Sequence, residues 1–268
     1  MSDLQILFVV RFAYPGPGMF QTEHDSIAAR QAHLWAPERI EARFRTLEHV
    51  CLRTLRQQTD GGFRTIILTG DALPRPHADR LRDLAATLHG AEAVFYPAKQ
   101  QQDALAEVIR PRVDRGGPPV AYIRQDDDDG VARRFVARTR EAFRDVAPLF
   151  ERHGKLALDF TKGMRLHLTP DGPRVQTLHE THLGVAQPVI LRASNQRTGI
   201  HFPHHKLGRL MPSVTLPEVP MWVRGVDGTN DSRVRDRTNL LKPATDEDRA
   251  VLTDRFGLDL DAIAGSFR

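Results

Sequence analysis

The chain has 268 residues, 40% of them apolar, and a formal net charge of +4. That length can bury a sizeable core, as one large domain or two small ones. The one cysteine, Cys51, excludes an intramolecular disulfide framework and a Cys-rich zinc site, and fits a reducing compartment.

The first apolar run, Leu4–Val10, has Asp3 ahead of it and Arg11 behind it, and reads as a β-strand rather than a signal peptide. No run approaches the ~18 apolar residues that a membrane span needs, so a cytoplasmic location is expected, with peripheral membrane contact left open. From Pro37 onward, Ile40, Phe44, Leu47, Cys51 and Leu55 recur at helical steps. Thr65–Thr69 is a second strand. Leu81, Leu84, Ala85 and Leu88 then mark a second helix that Gly90 closes. A third strand (Ala93–Tyr96), a third helix (Ala104–Ile109) and a fourth strand (Val120–Ile123) follow. This alternation implies a largely parallel sheet covered on both faces, an α/β Rossmann-like fold.

Beyond it, Val131, Phe135, Thr139, Phe143 and Val146 predict a further helix. Met164, Leu166 and Leu168 alternate, the turn PDGP follows, and Val175–Leu178 returns, while Pro188–Leu191 reads as one more strand. The stretch 201–245 is rich in Pro, Gly and His and gives no clear pattern. Thr245 then caps a helix that carries Asp246, Glu247 and Asp248 in its first turn. The division expected is a single domain over 1–268. Residues 1–130 form the nucleotide-binding half, 131–241 the acceptor and metal-completing half, and 242–268 a helical tail.

Four consecutive aspartates, Asp126–Asp129, directly follow the strand VAYIR. Ligands of open α/β sheets bind beyond the carboxyl ends of strands. If the extended backbone continues, Asp126 and Asp128 share one side and offer oxygens to Mg²⁺ or Mn²⁺. An EF-hand loop fails, because aligning on Gly130 puts Gln125 in the first position and Val136 in the last. A solvated acidic loop and helix capping by Asp129 are the plainer readings. Capping accounts for one aspartate; four at a strand end repel one another unless a cation is present.

Other motifs are weaker. GPG at 16–18 is a mobile turn, and no Walker-type GxxxxGK[ST] occurs. HETH at 179–182 lacks the spacing of a zinc-protease helix. HFPHH at 201–205 is either a surface histidine cluster or a loop that brings one imidazole to a metal or a diphosphate. Lysine occurs only at 99, 155, 162, 206 and 242, and the far more numerous arginines are spread among acids, so no nucleic-acid partner is expected.

A first strand ending in Arg11-Phe12, the block RQDDDDGVARRFV, the later LDFTKGM and the segment WVRGVDGTN together resemble the bacterial family described as "putative rhamnosyl transferase". The resemblance runs over roughly residues 5–235 in short islands. It implies a glycosyltransferase of the A-type fold with a small mixed β region in its C-terminal half. Such an enzyme moves a sugar, rhamnose among the candidates, from a nucleotide-sugar donor to a glycan or other hydroxyl acceptor in bacterial polysaccharide synthesis. Carried over, Arg11, Phe12, Asp71, Arg124 and Asp126 would bind the donor. Asp126 and Asp128 would hold Mn²⁺ or Mg²⁺, with Asp227 or His204 completing the site. Trp222 and Asn230 would meet the acceptor. The family pattern has a histidine where this chain has Asp227. An inverting transfer also needs a carboxylate base, and Asp159 and Glu180 are the candidates. Two alternatives stand beside this: another metal-dependent nucleotide enzyme, such as a sugar nucleotidyltransferase or phosphohydrolase, and a non-catalytic basic nucleic-acid-binding module.

Overall fold

The computed structural model describes residues 4–18, 24–169, 171–226 and 240–265. The chain opens with β1 (Gln5–Arg11), α1 (Ile27–Leu34) and α2 (Pro37–Thr46). One π-helical turn, Leu47–Cys51, joins α2 to α3 (Leu52–Arg56) in a continuous rod. Then come β2 (Arg64–Gly70), α4 (Arg75–Ala86), β3 (Ala91–Tyr96), α5 (Gln101–Ile109), β4 (Val120–Asp126), β5 (Gly130–Val131), α6 (Phe135–Asp145) and α7 (Ala147–His153). The second half holds β6 (Lys155–Phe160), β7 (Lys162–Thr169), β8 (Gly172–His179), β9 (Pro188–Leu191), α8 (Leu207–Leu210), β10 (Ser213–Leu216), β11 (Trp222–Gly225) and β12 (Lys242–Pro243). It closes on α9 (Asp246–Phe256) and α10 (Leu260–Gly265).

Seven strands form the main sheet in the order β10-β6-β9-β4-β1-β2-β3, in which β9 alone runs against its neighbours. Five strands, β12-β8-β7-β11-β5, form a smaller mixed sheet. The α/β architecture expected from the sequence, a mostly parallel sheet flanked by helices with a small mixed β region behind it, is the one observed. Alternation along β1 divides the interior in two. Ile6, Phe8 and Val10 face a core shared with the α2–α3 rod, α6 and the small sheet, and Leu7 and Val9 face a second core built on α5. Each such side chain, fully buried, contributes about 1.5–3 kcal/mol.

Among the described elements the chain passes between the sheets five times, and two of these passages matter here, after β4 through the aspartates and after β6 through Thr161. The first crossing corrects two expectations. Val131 belongs to β5, opposite Trp222, and not to a helix. Its N–H donates to Thr54 Oγ1 and the Ala132 N–H to the Met221 carbonyl, so the backbone stays extended through Val131, and a turn at Arg133 and Arg134 leads into α6 at Phe135. Asp129 therefore caps no helix. The turn at 16–18 is pinned rather than loose, because the Gly16 carbonyl accepts from Arg30 and Gln101. Thr245 caps α9 as expected, through a reciprocal pair of hydrogen bonds with Asp248.

Candidate active site

In the main sheet the strand order reverses between β1 and β4, the switch point at which open α/β sheets leave a crevice beyond their carboxyl ends. Arg11 and Asp126 close β1 and β4 there and are register partners. Arg11 grips the carboxylate with two nitrogens, Nε at 3.2 Å and Nη2 at 2.5 Å, both on Oδ1. The Asp126 side chain is 45% exposed, and Oδ2 has no protein partner among the described residues. Burial alone would raise its pKa. Arg11 and Arg124 outweigh that and hold the carboxyl below the usual carboxylate range.

The backbone does not stay extended past Asp126. The Asp129 N–H donates to the Asp126 carbonyl at 3.1 Å, closing a tight turn, and Gln125 Nε2 donates to the Asp129 carbonyl at 2.8 Å. Asp126 and Asp128 therefore do not sit side by side on one edge. Asp128 instead lines a separate pocket of about 340 Å³ with Thr46, Val50, Leu166 and Gly225. Asp127, Asp128 and Asp129 are each 5% exposed or less. Arg43 lies 2.7 Å from Asp127 and 3.5 Å from Asp128. Burial first, then repulsion from Asp128 and Asp126, pushes Asp127 up to about 7 against the pull of Arg43. The same causes raise Asp129 well above the usual range. The arginines around the turn thus offset part of the repulsion within the quartet.

The turn can lie this close to the small sheet because of Gly225 on β11, where a Cβ would stand 2.5 Å from the Asp128 carbonyl oxygen. Arg224, beside it, adds attraction to Asp126 and Asp129. On the other side the π turn brings Cys51 to 3.5 Å from Gln125 Nε2. A π turn inside an α-helix is rare and frequent at functional sites.

The remaining candidates divide. Arg124 shares a face of β4 with Tyr122 and Asp126 and lines a pocket with His204. Asp71 is exposed just past the end of β2. Phe12 is fully buried with its ring 4.6 Å from Phe44, so it cannot face a nucleotide. Trp222 is 2% exposed, stands over Gly163 and donates from Nε1 to the Phe160 carbonyl, which leaves no face for an acceptor sugar. Asp159 is 3% exposed and accepts the His182 N–H at 2.9 Å; burial raises its pKa and His182 partly offsets this. Glu180 is 34% exposed, 3.6 Å from Arg165. Asp227 and Asn230 lie outside the described residues. Among the described residues no three His, Cys, Asp or Glu side chains are grouped to hold a metal, so His204 does not join the aspartates in such a set.

Sequence reasoning missed Arg43, Arg224, His182 and Gln187. Arg43 carried a signal: it falls on the α2 stripe between Ile40 and Leu47, where an arginine needs a buried partner.

The family described as "Putative rhamnosyl transferase" matches residues 5–238. The chain belongs to this family. No curated protein matches the chain. Among solved structures, the chain is similar to Staphylococcus aureus TarS 1–349 in complex with UDP, at 9% identity over 83% of this chain and 61% of that one, with a TM-score of 0.41. It is also similar to a protein from Desulfovibrio desulfuricans G20 described as a "putative nucleotide-diphospho-sugar transferase". The identity there is 14% over 100% of this chain and 99% of that one, with a TM-score of 0.37. Mouse xyloside xylosyltransferase 1 follows at 10% identity over 72% and 68% of the two chains, with a TM-score of 0.33. The chain spans about three fifths of the length of TarS 1–349. Likenesses of this size say nothing about substrate, and the rhamnosyl transferase family match carries the assignment.

Proposed function

We propose that this family member transfers a sugar, rhamnose being the candidate its family name offers, from a nucleotide-sugar donor to an acceptor hydroxyl in glycan synthesis. The observation that supports this best is the Arg11–Asp126 pair at the β1–β4 switch point, with an Asp126 side chain that stays 45% exposed. Residues up to 130 supply the donor side and residues 131–241 the acceptor side. Arg11, Arg124 and Arg224 concentrate positive charge where the donor diphosphate would lie, and such charge stabilises a leaving group on which negative charge develops.

Magnesium and manganese sites need only one or two carboxylates when substrate phosphates complete them, and Asp126 Oδ2 fits that requirement. We assign Asp126, rather than Asp128, as the residue that would hold Mn²⁺ or Mg²⁺. When bound, the ion would neutralise charge on the departing diphosphate. Of the two candidate bases only Glu180 is exposed enough to meet an acceptor hydroxyl. Asp159 acts through His182 as a positioning residue.

Calorimetric titration of nucleoside diphosphates, with and without Mn²⁺, tests this. Asp126→Asn should weaken manganese-dependent binding by at least about tenfold, or 1.4 kcal/mol, with the fold retained. Equal affinity in the variant would remove the donor site from the β1–β4 crevice.

A further inference from the structure

A second pocket of about 350 Å³ opens on the other flank of β4, between β9 and the turns at Gly199–His201 and His204–Lys206. Val189, Ile200 and Phe202 give it apolar walls, and Arg124, Gln187 and His204 its polar groups. The space opens to solvent, so a ligand there would lie partly exposed, and a whole sugar nucleotide does not fit within it.

Two of these polar groups, Gln187 and His204, are held in place by one residue, His182. Gln187 Nε2 lies 2.8 Å from His182 Nδ1. His204 Nδ1 lies 2.7 Å from the His182 carbonyl oxygen, and a carbonyl can only accept, so Nδ1 carries the proton and Nε2 keeps its lone pair. The His182 N–H is tied in turn to the Asp159 carboxylate. His182 sits at φ 52°, a left-handed backbone that few residues other than glycine adopt, and such strain persists only where the surroundings enforce it. The two histidine motifs, separate in sequence, thus meet at one hub that aims Gln187 and His204.

Gln187 is 8% exposed, yet its Oε1 is buried with no hydrogen-bond partner among the described residues. A buried orphan acceptor costs free energy, on the order of 1–3 kcal/mol, and calls for a donor. A pyranose ring offers both things the pocket lacks, hydroxyl donors for Gln187 Oε1 and His204 Nε2 and a C–H face for the apolar wall.

We infer that this pocket holds a sugar ring of the acceptor, with His182 as the positioning residue that orders it. The assignment to the acceptor rests on the donor reading above: Arg11 and Asp71 lie on the β1–β2 side of β4, and the pocket on the β9 side.

Saturation-transfer NMR on the full chain with methyl glycosides of glucose, galactose, mannose and rhamnose, each at millimolar concentration, tests it. At least one glycoside should receive saturation. Gln187→Leu, which keeps volume and removes the acceptor, should cut affinity about tenfold, as should Phe202→Ala at the half-buried wall. Nucleoside-diphosphate affinity should stay within about twofold in both folded variants. Glycoside signals absent from the wild type, or unchanged in both variants, would overturn the sugar pocket. Loss of nucleoside-diphosphate affinity in the variants would overturn the acceptor assignment. Glycoside binding that behaves as expected in a protein that binds no nucleoside diphosphate would uphold the pocket while the donor reading falls.

Discussion

The aspartate turn and the His182 hub are both buried polar clusters at strand ends, but they are stabilised in opposite ways. The turn concentrates formal charge and balances it with Arg11, Arg43, Arg124 and Arg224. The hub apportions ring nitrogens, an amide, a carbonyl and a single carboxylate among directional hydrogen bonds. A charged cluster therefore depends on each counter-charge and on pH. A hydrogen-bonded hub depends on backbone geometry and tolerates the loss of a marginal contact.

Arg43→Ala should show the largest effect, because it strands the buried Asp127 carboxylate. Removing one partner of a buried pair costs about 3–5 kcal/mol. Protonation of Asp127 softens this, so about 3 kcal/mol and a melting temperature lower by roughly 10 °C are expected by calorimetry. Gly225→Ala separates geometry from charge: its Cβ meets the Asp128 carbonyl and shifts the turn, at about 2 kcal/mol in denaturant titration. A melting curve unaltered by Gly225→Ala would mean that the turn is free to move.

The pH dependence is a subtler test. The folded pKa of Asp127, about 7, lies above the ordinary carboxylate value of about 3.9. The folded state then holds its proton more tightly than the unfolded chain does. Its stabilising contribution is full below about pH 3.9 and is lost as pH rises toward 7. Asp126 works the other way, stabilising above its unfolded pKa and losing that contribution in acid. Asp127→Asn, compared with wild type by thermal melts across about pH 4–7, should flatten the decline. The two curves running parallel would place the titration elsewhere in the turn. The smallest effect belongs to the hub. Ser213 Oγ stands 3.5 Å from His182 Nε2, a marginal contact, and Ser213→Ala should cost no more than about 0.5 kcal/mol.

The first four strands and the helices between them other than α1 were legible in the sequence because they are apolar and correctly spaced for a covered parallel sheet. Legibility ended where tertiary partners decide. Val131 lies on a plausible helical stripe, yet β11 and Thr54 hold it extended. The edge strand β10 and the strand β11 lie in the Pro-rich, Gly-rich and His-rich region, and pairing partners distant in the sequence set their register. α1 is short, and its Ser26 cap stood without an apolar stripe to mark it. The aspartates were conspicuous, but a charge run does not say what neutralises it. Part of the answer lay 84 residues upstream of Asp127, in Arg43 on an apolar helix face. The link from HETH to HFPHH was hidden for the same reason, since it passes through the His182 carbonyl, which no motif encodes.

The two tryptophans give the protein a built-in optical readout. Trp35 is half-buried beside Gly70 at the end of β2, with its indole N–H on the Ala13 carbonyl just past the end of β1. Trp222 is sealed over Gly163 in the small sheet. Occupancy at the strand ends should change the emission of the first indole and leave the second as an internal reference, so titrations can be followed by intrinsic fluorescence without a label.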